Sequence, residues 1–68
     1  MGPVSFEKVE AGSERATAMA LAAELAKAGI RVMSVHHDST PGGTERYWLV
    51  VRSHELAAVK AVMAQYNP

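Results

Sequence analysis

The stretch SVHHDSTPGGTERYWLVV, residues 34 to 51, holds the chain's paired histidines, its Gly42-Gly43 pair and its one tryptophan, Trp48. His36, His37 and Asp38 are the ligand types of a zinc site. Their spacing works against that chemistry. Neighbouring residues of a strand project to opposite faces, so His36 and His37 do not readily grip one ion. The third histidine, His54, follows the next strand and falls about 20 Å away, at roughly 3.3 Å per residue. A solvated strand end suits histidine equally well, and no metal or cofactor is expected.

A nucleophilic reading meets the same difficulty. Ser34, Ser39 and Thr40 lie near the histidines in sequence, but none sits in the G-x-S-x-G turn that exposes a nucleophilic serine. A sheet this small also has little depth for the concave pocket that catalysis uses. Enzymatic activity is not expected. Thr40-Pro41-Gly42-Gly43 has the glycines of an anion-binding nest but lacks the lysine and following helix of a phosphate loop. It reads as a hairpin tip. Trp48, with Arg31, Arg46 and Arg52 around it in sequence, is a better candidate for recognition, because binding hot spots favour Trp and Arg. Arg31 and Arg52 would be neighbours if their strands pair tip to tip, a pair suited to an anionic partner or to acidic residues of a second subunit.

The elements that position these residues follow from pattern. Residues 4 to 11, VSFEKVEA, read as a strand with a shift or bulge near Lys8, because Val4 and Phe6 share one parity while Val9 and Ala11 share the other. GSERATAMALAAELAKAG reads as a helix: Ser13 as N-cap, Glu14 in the first turn, Lys27 in the last, and Gly29 past the end. Ala18, Leu21, Ala22 and Leu25 recur at helical spacing. IRVMSVHH and RYWLVVR read as strands joined by the turn residues DSTPGGTE. Ser53 then caps a final helix with Leu56, Val59, Met63 and Tyr66 on one face, ended by Asn67-Pro68.

The order is β-α-β-β-α in one domain, residues 1 to 68. The expected fold is α+β: a truncated ferredoxin-like (split βαβ) unit, sheet order 2-3-1, both helices on one face. The last strand, RYWLVVR, is apolar on both parities, the pattern of a strand buried on both sides. Two helices roof only one side. The expectation is therefore a bare apolar face carrying Trp48 and Val50, joined by Met33 and Val35. The first strand is expected to be an open edge, blunted in part by Glu7, Lys8 and Glu10.

Composition narrows the partners. Seven Lys and Arg balance seven Asp and Glu, whereas nucleic-acid binders need a basic excess or stripe to neutralise phosphate. A balanced charge provides little colloidal repulsion and eases self-association. The chain has no cysteine, which is compatible with a reducing compartment. At 68 residues a domain buries only about 60% of the surface its unfolded form exposes, so association is one remedy for thin stability. The longest uninterrupted apolar run, Ala18 to Ala23, is far short of the roughly 20 residues that span a bilayer. MGPVSFEK lacks the apolar core of a secretion signal. A cytoplasmic location without membrane contact is the expectation.

Two families resemble this layout. AELAKAGIRV running from helix to strand, and YWLVV leading into a short last helix, look like the small bacterial βαββα domains described as signal-transducing. That resemblance covers nearly the whole chain and implies a regulatory or protein-binding role without catalytic residues. The chain is also similar to the SPOR domain, which binds peptidoglycan glycan strands. GSERATAMALAAELAKAG stands for its first helix and YWLVV for its Tyr-Arg-Val-x-Val strand. The Gln-x-Gly-Ser opening and the last strand of that family are missing, and Arg52-Ser53 replaces its Gly-Pro-Phe.

The function expected from the sequence is a non-enzymatic interaction or regulatory module, a homo-oligomer or the binder of another protein. Trp48, Met33, Val35 and Val50 would supply apolar contact, and Arg31, Arg46 and Arg52 would set orientation. Glycan or small-ligand binding on the same sheet face is the alternative.

Overall fold

The computed structural model describes residues 4–66. The strand β1 (Phe6–Glu10) is followed by α1 (Arg15–Lys27), β2 (Ser34–Ser39), β3 (Glu45–Arg52), a 3-10 turn (Ser53–Glu55) and α2 (Leu56–Tyr66). Among the described residues the architecture is α+β, with one three-stranded sheet of order β1-β3-β2 and two helices. Both neighbouring pairs are antiparallel. The end of the last helix expected at Asn67-Pro68 lies outside the described residues.

One parity of β3 builds the core. Tyr47, Leu49 and Val51 are buried together with Ala18, Leu21 and Leu25 of α1 and Val59 of α2 in a single cluster. Both helices therefore lie on the same side of the sheet. The Cα envelope agrees: its smallest extent is 15 Å, enough for two layers about 10 Å apart and too thin for three. Leu25, Leu49, Val51 and Val59 are fully buried, and each such side chain contributes roughly 1.5–3 kcal/mol of transfer free energy. Ala18, wholly buried, and Ala22, packed against the cluster, are the small residues that α1 turns toward the core.

The C-terminal end of α1 forms as its residues require. Gly29 takes φ 82°, its N–H donates to the Ala26 carbonyl, and the Ile30 N–H reaches back to Leu25 at 2.9 Å. This is a Schellman closure. Ile30 and Leu25, both buried, supply the apolar contact that accompanies it.

Four local expectations need correction. Ser13 does not cap α1; Glu14 holds the N-cap position with no side-chain hydrogen bond. Ser53 does not cap α2 either, because the chain enters that helix through the 3-10 turn, and the Ser53 hydroxyl is buried without a partner. Strand β2 begins at Ser34 rather than Ile30. The Met33 N–H takes the Val50 carbonyl although the register sets Ser34 against Val50, so regular pairing stops there. Finally, β1 runs without a shift at Lys8. The two-against-one pairing falls later: the Ala11 N–H donates to Tyr47, and the Tyr47 N–H donates to Gly12, whose φ is 92°. The mixed parity of β1 arises because each of its faces carries apolar residues.

At the hairpin tip, the Gly43 N–H donates to the Thr40 carbonyl and Gly43 takes φ 84°. Pro41 starts the turn and Gly43 supplies the left-handed residue that a three-residue loop needs.

Candidate functional site

The face of the sheet turned away from the helices follows from the register. Residues paired across an antiparallel sheet share a face, so Glu10, Trp48 and His36 form one row, and Lys8, Val50 and Ser34 the next. Phe6 with Arg52 lies toward one end, and Arg46 with Asp38 toward the other. Trp48 and Val50 are half-buried, and Phe6 is 50% exposed. Phe6, Val50 and Trp48 thus make an apolar strip that no helix covers among the described residues.

Charges frame the strip. The Arg46 guanidinium donates to Glu10 at 2.9 Å, joining β3 to β1. The Lys8 ammonium stands 5.7 Å from the centre of the Trp48 ring, in cation–π range. His36 Nε2 lies 3.1 Å from Asp38 Oδ1. All of these groups are exposed apart from Trp48, so each contact contributes about 1 kcal/mol or less. The Trp48 indole N–H is buried and has no acceptor among the described residues. A buried donor left without an acceptor costs about 1–3 kcal/mol.

The histidines do part company. His36 belongs to the bare face, while His37, paired with Tyr47 in the register, belongs to the helix side. The His37 ring stacks on Tyr47 with centroids 4.5 Å apart and planes 6° from parallel, and its Nε2 lies 3.3 Å from Glu45. No group of three possible metal ligands occurs among the described residues.

The sequence-derived site divides accordingly. Trp48, Val50, Arg46 and Arg52 occupy the bare face together. Val35 does not join them. It pairs with Leu49 and lies on the helix side, exposed because the helices leave the β2 end of the sheet partly unroofed. There it borders a hollow of about 300 Å³ with Met19, His37 and Tyr47. Met33 precedes β2 and sits at the end of the sheet, near Phe6 and Arg52. Arg31 also stands outside β2, so the strand pairing does not set it opposite Arg52.

Sequence reasoning missed Phe6, Lys8 and Glu10 as members of the face. Their shared parity was visible, but membership also requires knowing which parity of β1 faces the helices.

The helix side of β1 contributes a second feature. A groove of about 580 Å³ runs between β1, α1 and α2, lined by Val9, Ala11, Leu21, Met63 and Tyr66 among others. It lies beside the outer edge of β1, which among the described residues pairs with β3 alone. Comparison of the chain with protein-family models, with curated proteins and with solved structures found no match.

Proposed function

We propose that this chain is a non-enzymatic protein-interaction or regulatory module that works through its uncovered sheet face and free edge, and that it self-associates. The observation behind this reading is the Phe6–Val50–Trp48 strip on the side of the sheet without helices. Contiguous apolar surface on a small domain is kept where something covers it. Trp48 is the anchor, and Arg46 and Arg52 on the same face orient the partner. On this reading the fold is of the ferredoxin-like split βαβ type, with three strands among the described residues, acting in the cytoplasm. The likeness to small signal-transducing βαββα domains implies the same kind of role.

Sedimentation velocity from micromolar to millimolar concentration tests self-association, with acrylamide quenching of Trp48 read in parallel. The expected mass rises with concentration, and a monomer throughout would sink that part. Protection of Trp48 on association assigns the contact to the face, and unchanged quenching assigns it to the edge.

Glycan binding in the SPOR manner is the second reading. It draws on the Trp48 ring flanked by His36 on the same face, an aromatic platform beside a polar group. Titration with peptidoglycan fragments is its test: saturable quenching of Trp48 supports it, and an unchanged spectrum removes it.

A further inference from the structure

We propose that two copies of this chain join through β1 in one particular antiparallel register, with Lys8 opposite Glu10 of the second copy and Val9 against Val9 at the two-fold axis. The inference rests on the reading above and names the partner and geometry of the free edge.

Backbone direction comes first. In an antiparallel ladder, alternate residues turn both backbone groups toward the same neighbour. The Ala11 N–H donates to Tyr47 of β3, and the Ser5 carbonyl accepts from the N–H of Ser53, the residue just after β3. Residues of the other parity, Phe6, Lys8 and Glu10, therefore turn their N–H and C=O outward at the free edge. An extended segment of another chain can take up such groups.

Charge then selects the register. A two-fold pairing centred on Lys8 sets Lys8 against Lys8. One centred on Glu7 sets two glutamates together, and one centred on Glu10 does the same. Centring on Phe6 leaves Val9 and Glu10 outside the paired segment. Centring on Val9 sets Lys8 against Glu10 twice, by symmetry, and gives these two of the three outward-turned residues a hydrogen-bonded partner. Directly opposed unlike charges stabilise a pair of strands, and like charges destabilise it.

The remaining groups suit this arrangement. Val9 is half-buried and packs on the core, so a Val9–Val9 contact on the helix side adjoins the two cores. Glu10 already holds Arg46, and Lys8 of the second copy would extend that pair into a chain of alternating charge. The apolar groove beside Val9 and Ala11 borders the same edge. Closed two-fold contact of this kind is the commonest way for identical chains to associate. The product is one six-stranded sheet with four helices on one side and two Trp48 faces on the other.

Charge reversal tests the register, read by sedimentation velocity and native mass spectrometry, with circular dichroism to verify folding. Lys8→Glu and Glu10→Lys alone are each expected to weaken the dimer roughly tenfold or more, because both symmetric pairs become repulsive. An equimolar mixture of the two variants restores it as a heterodimer, since every reversed charge then meets its opposite. A mixture that stays monomeric overturns the register. Lys8→Pro removes an N–H that faces away from β3, so it is expected to leave the fold intact and abolish the dimer. If Lys8→Pro still dimerises while Trp48→Ala does not, the edge proposal falls and association through the bare face stands.

Discussion

Between Tyr47 and Val51, β3 carries nearly equal apolar material on its two sides, yet the sides have different fates. Tyr47, Leu49 and Val51 lie beneath two helices, and Leu49 and Val51 are wholly inaccessible. Among the described residues no helix covers Trp48 and Val50, and both keep part of their surface in water. Side-chain type does not separate the two sets, since tryptophan is the largest apolar residue present. What separates them is helix supply: α1 and α2 both join the Leu49 side. The first set holds the domain together, and the second remains available for a partner.

Substitutions sharpen that contrast, beginning with the largest effect. Leu49→Ala is expected to cost about 2–5 kcal/mol in chemical denaturation, because it opens a cavity in a fully enclosed site. For a domain this small that approaches the whole of its stability. Trp48→Ala removes more atoms from the other face but is expected to cost only about 1 kcal/mol, since its surroundings already include solvent. Equal losses at Leu49 and Trp48 would break the distinction between the faces.

Gly29→Ala is expected to cost about 1 kcal/mol by thermal unfolding. The added methyl would meet nothing within 4 Å, so the penalty comes from the positive φ alone. Glu10→Ala comes last, at about 0.2–1 kcal/mol, fading as salt screens the exposed Arg46 contact. A larger, salt-independent loss would mean that Glu10 supports more than this contact.

Much of the fold was legible in particular residues. Gly29 stops α1 because few other residues accept its backbone angle. Thr40-Pro41-Gly42-Gly43 turns the hairpin for a similar reason. Once a crossover helix and a hairpin were fixed, the β1-β3-β2 order followed from short connections. The candidate face was only half legible. Trp48 and Val50 stood out through the double apolar parity of β3, whereas Phe6 was obscured because β1 alone cannot reveal which of its sides meets the helices. Val35 was misplaced because reading β2 from Ile30 gave no pairing partner to fix its side. Ser13 and Ser53 have the chemistry of caps, but the chain reaches each helix along a path that leaves their hydroxyls unused.

The sequence by itself determined the local events: where α1 ends, where the hairpin turns and which strand is apolar on both sides. Each depends on a few neighbouring residues and their allowed backbone angles. The tertiary structure alone decided which side of the sheet is roofed, that Phe6 and Lys8 share a face with Trp48, and that the outward backbone groups of β1 belong to Phe6, Lys8 and Glu10. Those facts depend on pairing between segments far apart in the chain, and a one-residue change of register would reverse every one of them.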